Sequence, residues 1–178
     1  MEQVIKFGIG FVTGRPNVCK VINNTYERLI NQFKDSGKKV ELTIFILFDL
    51  GYQFTTRIDF YGIIPNVYKD IKVKYITPED MEEEKKKLIG REVLTKQETE
   101  LFFGHGHAKG RNTLMYYAQK SGMDYLLFWD DDEYPVAVIK DEKTNELMWK
   151  EQDNIAMHLK YIEDADVTIG YHCGYISP

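Results

Sequence analysis

Asp130-Asp131-Asp132-Glu133 places four carboxylates in a row, directly after the apolar run Asp124 to Trp129. Adjacent carboxylates repel one another, and without a counter-charge the cluster costs stability. A hard divalent cation such as Mg²⁺ or Mn²⁺ relieves that repulsion, prefers oxygen ligands and keeps positions open for phosphates. In an extended segment alternate side chains share a face. Asp130 and Asp132 then form one set, and Asp131 with Glu133 the competing set. The plain alternative is an acidic turn between strands. Against it, such turns usually carry Gly or Asn and rarely follow an apolar run so abruptly.

Gly104-His105-Gly106-His107-Ala108-Lys109-Gly110-Arg111-Asn112 is a second group with chemical potential. Glycines let backbone approach an anion, and a helix N-terminus presents free N–H groups. Lys109 and Arg111 add charge suited to phosphate. The glycine spacing is not the dinucleotide fingerprint, and no Gly-Lys-Ser/Thr phosphate loop is present. A flexible loop is the alternative. His105 and His107 would suit Zn²⁺ only with a third ligand, so a mobile loop is the better reading. Thr13-Gly14-Arg15-Pro16 follows the first apolar run, where nucleotide sites of βαβ folds begin. It reads equally as an ordinary turn whose Pro starts a helix. Asp49 ends the second apolar run, where it either accepts hydrogen bonds from a base or ribose or caps the strand.

These residues need elements to position them. Val4 to Val12 reads as a buried strand and Val18 to Phe33 as a helix, with Asn17 as N-cap and Ser36-Gly37 as its end. Val40 to Phe48 is a second buried strand. Strand, helix, strand predicts an α/β fold with a mostly parallel central sheet and helices on both faces. Leu50 to Asn66 has no clean period and reads as a loop. Ile71 to Ile76 suggests an edge strand, and Pro78 to Ile89 a charged, solvated helix. Arg111 to Lys120 is helical after the glycine-rich break, and Asp124 to Trp129 reads as a central strand. Val136 to Lys140 and Leu147 to Lys150 suggest a hairpin. Ile155 to Ile162 reads as a helix and Val167 to Tyr171 as a last strand. No repeat or linker divides residues 1–178, which read as one domain.

Composition narrows the function. The net charge of −5 argues against binding nucleic-acid backbone or anionic lipid, which need a dense basic surface. No apolar run approaches the roughly 18–20 residues of a membrane span. The N-terminus lacks the design of a signal peptide. Cys19 and Cys173 are too few for a disulfide scaffold, so a reduced, cytoplasmic setting is the default.

Taken in order, a strand, Thr-Gly-Arg-Pro, a helix, a strand ending in Asp49, Gly-Arg-Asn on a helix, and Asp-Tyr-Leu-Leu-Phe-Trp-Asp-Asp-Asp form a pattern. It resembles the nucleotide-sugar half of a GT-A-type glycosyltransferase, nearest the family-2-like group with its Asp-x-Asp motif. The resemblance spans most of residues 4–135 and is specific at motif level over Gly106 to Pro135. It implies a nucleotide-diphosphate-sugar donor, Mn²⁺ or Mg²⁺ at the diphosphate, and a saccharide or other hydroxyl acceptor. By the same resemblance Asp132 is the main metal ligand, and Asp130 contacts the ribose, or the metal through water. Arg111 steadies the acidic motif or the diphosphate, with Lys109 nearby. Asn112 and Asp131 fall in the donor-binding set. Thr13 and Arg15 flank the base, and Asp49 reads base or ribose. His172 is a candidate to complete the metal shell, or a structural His.

The family mechanism is attack by an acceptor hydroxyl on the anomeric carbon. In inverting members a carboxylate base takes the proton. No base is assigned; Glu163, Asp164 and Asp166 are the late acids. Tyr52 to Val67 departs from the family pattern, and the four-acid run leaves the frame of Asp-x-Asp open. Two other readings stand beside this one. One is a metal-dependent phosphohydrolase or nucleotidyltransferase, to which Thr-Gly-Arg-Pro is a poor match. The other is a module that binds a nucleotide sugar and transfers nothing. For a complete transferase 178 residues is short, which suggests truncation before a full acceptor region.

Overall fold

The computed structural model describes residues 4–51 and 54–170. Two β-branched and aromatic runs form β1 (Ile5–Thr13) and β2 (Val40–Phe48), joined by α1 (Asn17–Asp35). They pair in parallel along their whole length, from Ile5 opposite Val40 to Thr13 opposite Phe48. A turn of 3-10 helix at Arg57–Phe60 and the single-turn α2 (Val67–Asp70) then lead to β3 (Lys72–Ile76). α3 (Pro78–Gly90), α4 (Lys96–Phe102) and α5 (His107–Lys120) precede β4 (Tyr125–Phe128). The sheet is four-stranded in the order β3-β2-β1-β4, and every pair is parallel.

That order positions everything below. The chain steps outward from β1 to β2 to β3, then returns to the other side of β1 for β4. The winding direction therefore reverses between β1 and β4, and open α/β sheets leave a crevice at the carboxyl ends of such strands. Thr13 ends β1 at that place, and β4 runs into Trp129 and Asp130 there.

Strand alternation divides the core. Phe45 and Leu47 of β2 pack with Ile76, Met81 of α3, and Leu114 and Ala118 of α5. The opposite face carries Ile44, Ile46 and Phe48, and the Phe48 ring lies 4.4 Å from that of Phe60. The Cys19 thiol of α1 in turn donates to the Phe60 carbonyl at 3.3 Å. Burial pushes that thiol above its ordinary value.

Close approach of α5 to β1 depends on two missing side chains. A Cβ on Gly110 would lie 2.6 Å from Val12 Cγ1, and one on Gly10 would lie 2.9 Å from Leu114 Cδ1. Gly110 therefore sits inside the helix as a packing residue, where the sequence suggested a break continuing to Arg111. The bend falls earlier, at Gly106, whose φ of +82° is open to glycine at little cost.

The described residues fall into two compact units, Met1–Tyr26 with Lys39–Glu133, and Glu27–Lys38 with Tyr134–Pro178. The second unit holds the antiparallel hairpin β5 (Val136–Lys140) and β6 (Leu147–Glu151), α6 (Asn154–Tyr161), and the last part of α1. Gln32 is its joint. Its amide donates to the Gln152 carbonyl at 3.2 Å and accepts from the Ile155 N–H at 3.2 Å, satisfying a donor at the start of α6.

Three expectations need correction. β4 is the outer strand of the described sheet, not a central one, and its residues are half-buried accordingly. α4 was not anticipated; Thr95 and Glu98 make a capping box that holds it, though it is too short and polar to show a period. Val167 to Gly170 form no strand. Among the described residues, no helix is long and apolar enough to cross a membrane.

Candidate functional site

The turn after β1 and the acidic segment after β4 meet at the switch crevice. Asp130–Glu133 does not extend the strand. It closes a turn in which the Glu133 N–H donates to the Asp130 carbonyl at 3.2 Å and the Asp130 N–H donates to Glu133 Oε2 at 3.2 Å. The apolar approach is fixed by Trp129, which stacks on Phe11 with ring centroids 6.0 Å apart. Its N–H donates to the Gly10 carbonyl at 3.0 Å.

Turn geometry sorts the carboxylates. Asp131 points inward and is only 5% exposed, while Asp130 and Asp132 keep 45% and 59% of their side-chain surface. The Thr13 hydroxyl hydrogen-bonds to Asp131 Oδ2, and Arg15 reaches both Asp131 oxygens, Nε to Oδ2 at 3.1 Å and Nη2 to Oδ1. The same Nη2 touches Asp132 Oδ2 at 3.1 Å. Hydrogen bonding to Asp131 leads the causes that raise the Arg15 pKa above its ordinary value, against burial, so the guanidinium stays charged.

The β1–α1 turn holds these partners still. Thr13 Oγ1 accepts from the Arg15 N–H at 2.9 Å, and Thr55 donates to the Gly14 carbonyl at 2.7 Å. Asn17, expected as an N-cap, is instead the first residue of α1; its amide donates to the Asp131 carbonyl at 2.9 Å. Asn17 and Thr55 were not legible as site residues. Nothing in the local sequence marks a contact with a segment 114 positions away.

Two neighbouring groups complete the region. Arg111 on α5 lies 3.7 Å from Asp130 and covers the Phe128 ring at 5.4 Å. Asp49 extends β2, its N–H donating to the Thr13 carbonyl at 2.9 Å. Its carboxylate accepts from the Gly106 N–H at 3.1 Å and lies 3.3 Å from His105 Nδ1. An anion already sits at the start of α5, and it is Asp49. The glycine-rich segment thus spends one of its free N–H groups inside the protein.

Lys109 is exposed, with its stem against Gly104, and Asn112 is half-buried one position beyond Arg111. Among the described residues neither hydrogen-bonds to the acidic segment. His172 lies outside the described residues. Among the described residues no three His, Cys, Asp or Glu side chains group as metal ligands. Thr13, Arg15, Asp131 and Asp132 are therefore brought into one network, with Arg111 and Asp130 beside it and Asp49 joined to it through β1.

No family model, curated protein or solved structure matches this chain.

Proposed function

We propose that the chain binds a nucleotide-diphosphate sugar at the β1/β4 crevice, as a metal-dependent glycosyltransferase of GT-A type. The observation that carries this reading is the sorting of the acidic turn. One carboxylate is buried as an anchor, and the flanking two are left open at the switch point of a parallel sheet. Mg²⁺ commonly takes one or two carboxylates and completes its shell with water and substrate phosphate oxygens. Asp130 and Asp132 fit that donor set without a third protein ligand. When bound there, Mg²⁺ or Mn²⁺ supplies offset for the charge developing on the departing nucleoside diphosphate. Arg15 and Arg111 add fixed positive charge beside the same oxygens. Asp49 offers a carboxylate acceptor to a base or ribose, while the buried Thr13 hydroxyl holds Asp131 in place.

Donor capture without transfer is the second reading, favoured by one observation. Glu163, among the late acids suited to act as base, is ion-paired to Lys38 at 2.6 Å. That hydrogen bond lowers its pKa, which makes it a poor proton acceptor.

A thermal-shift panel of nucleoside diphosphates and nucleotide sugars, with and without Mn²⁺, tests the donor site. Stabilisation that needs the metal and vanishes in Asp132→Ala is expected. Equal melting of wild type and Asp132→Ala with every ligand would refute it. Release or transfer of a radiolabelled sugar then separates enzyme from binding module.

A further inference from the structure

We propose that the free edge of β6 is a dimerisation strand. Two copies of this chain pair β6 antiparallel about a two-fold axis at Met148, joining two hairpins into one sheet in the order β5-β6-β6-β5. Nothing in this rests on the donor-site reading above.

The hairpin is short of partners. β5 and β6 pair with each other and, among the described residues, with no third strand. A lone two-stranded hairpin is marginal in water, and further strands or a packed face steady it. Edge strands are ordinarily guarded by charge. β3, an outer strand of the parallel sheet, follows that rule with Lys72 and Lys74. β6 instead presents Leu147-Met148-Trp149, with Leu147 74% and Trp149 71% exposed. Val138, which faces Trp149 across the hairpin, is exposed too.

Hydrogen bonds at both ends of the hairpin fix which backbone groups are spare. The Asp141 N–H donates to the Glu146 carbonyl at 2.9 Å, and the Gln152 N–H donates to the Pro135 carbonyl at 2.8 Å. Antiparallel ladders alternate bonded and non-bonded pairs. Glu146, Met148, Lys150 and Gln152 thus turn their N–H and C=O groups towards β5, and Leu147, Trp149 and Glu151 turn theirs outward. A second β6 matches that edge when Leu147 lies opposite Trp149 of the second copy, a pair that exchanges both of its backbone bonds.

Side chains select this register. On one face Leu147 meets Trp149 on each side of the axis, with Val138 beside them. On the other face Met148 meets Met148 at the axis, and Lys150 meets Glu146, so opposite charges close each end. Sliding by two residues one way sets Leu147 opposite Glu151 and Met148 opposite Lys150, losing both matches. Sliding the other way runs Trp149 onto Asn145, whose φ of +60° places it in the turn. An isologous contact of this kind closes at two copies. The paired edge is short, so the dimer is a weak one.

Sedimentation velocity across a concentration series tests the pairing. Wild type should shift from monomer to dimer by about 100 µM. Lys150→Glu sets like charges opposite one another at both ends and should weaken the dimer roughly tenfold. Adding Glu146→Lys reverses the pair and should restore affinity to within about threefold of wild type. Both side chains are exposed and lie too far apart along the strand to touch within one copy, so rescue reports a contact between copies. Register is read by disulfide formation in a Cys173→Ser background. Met148→Cys sits opposite itself on a non-hydrogen-bonded pair, with about 4.5 Å between Cα atoms, which is within disulfide reach. Oxidised glutathione should convert it to a covalent dimer and should leave Lys150→Cys uncoupled. Wild type that stays monomeric to about 0.5 mM overturns the inference. So does a dimer that Lys150→Glu leaves unchanged, that the double variant fails to rescue, or in which Met148→Cys does not cross-link. Larger assemblies that do not close overturn it as well. Monomers that sediment with phosphatidylcholine vesicles, and cease to in Trp149→Ala, would make the hairpin a lipid contact in its place.

Discussion

Asp131 and Glu84 are assembled from the same parts. Each is a buried carboxylate with one hydroxyl and one cation, Thr13 and Arg15 for Asp131, Tyr116 and Lys120 for Glu84. Around Glu84 the Tyr116 hydroxyl sits at 2.6 Å and Lys120 Nζ at 2.5 Å, and both partners come from α5. The result joins α3 to α5. Around Asp131 the partners come from the β1–α1 turn, and the neighbours Asp130 and Asp132 stay open to solvent. A buried ion pair is therefore joinery in both places. What distinguishes the crevice is charge left over after the joint is made, at the point where the sheet reverses its winding.

Breaking the two joints should give unequal results. Asp131→Ala strands Arg15 and Thr13 and should cost about 3 kcal/mol in urea unfolding, the low end for a broken buried pair because Arg15 is 33% exposed. It should also abolish Mn²⁺-dependent nucleotide binding.

Gly110→Ala tests whether α5 serves both clusters, since it carries Arg111 for one and Tyr116 and Lys120 for the other. The added Cβ would meet Val12 Cγ1 at 2.6 Å and push the helix from β1. A loss of about 2 kcal/mol is expected, with weaker nucleotide binding alongside.

Glu84→Gln should cost about 1 kcal/mol, since Lys120 is half exposed, and leave nucleotide binding untouched. Burial raises the Glu84 pKa, but the hydrogen bonds from Lys120 and Tyr116 outweigh it and the net shift is downward from 4.5. A depressed carboxylate stabilises the fold fully above its unfolded value. The wild-type advantage over Glu84→Gln should therefore hold above pH 4.5 and disappear as pH falls through the folded value. Urea midpoints across pH 2 to 7 would show it. Asp132→Asn should change stability by less than about 0.5 kcal/mol, because only an exposed contact is lost. A large loss there would erase the distinction between the clusters.

Much of this was legible in the sequence where one physical signal dominates. The apolar run Val40–Phe48 is β2 to the residue, and α1 stops just before Ser36-Gly37 as punctuation predicts. The acidic run drew attention to the crevice, but the segment is the acidic turn that the sequence argument weighed against, and the extended-strand pairing of Asp130 with Asp132 against Asp131 and Glu133 does not apply to it. What stayed hidden is long-range. Arg15 and Asp131 are 116 positions apart, and local patterning does not encode their contact. Gly110 looked like a break because sequence alone does not reveal that Val12 presses against it. Asp49 reads in the sequence as a ligand contact or strand cap, and its carboxylate also accepts from the Gly106 N–H at the start of α5, a contact the sequence does not encode.

The central claim is that the open carboxylates at the β1/β4 crevice hold a metal–nucleotide pair. Calorimetric titration of uridine or guanosine diphosphate into wild type and Asp132→Asn, each with Mn²⁺ and with a chelator, tests it most directly. The account predicts binding of at least one nucleotide to wild type with Mn²⁺, and a loss of roughly tenfold or more with the chelator or in Asp132→Asn. Binding that is the same in all four titrations, or absent from wild type with Mn²⁺, would contradict it.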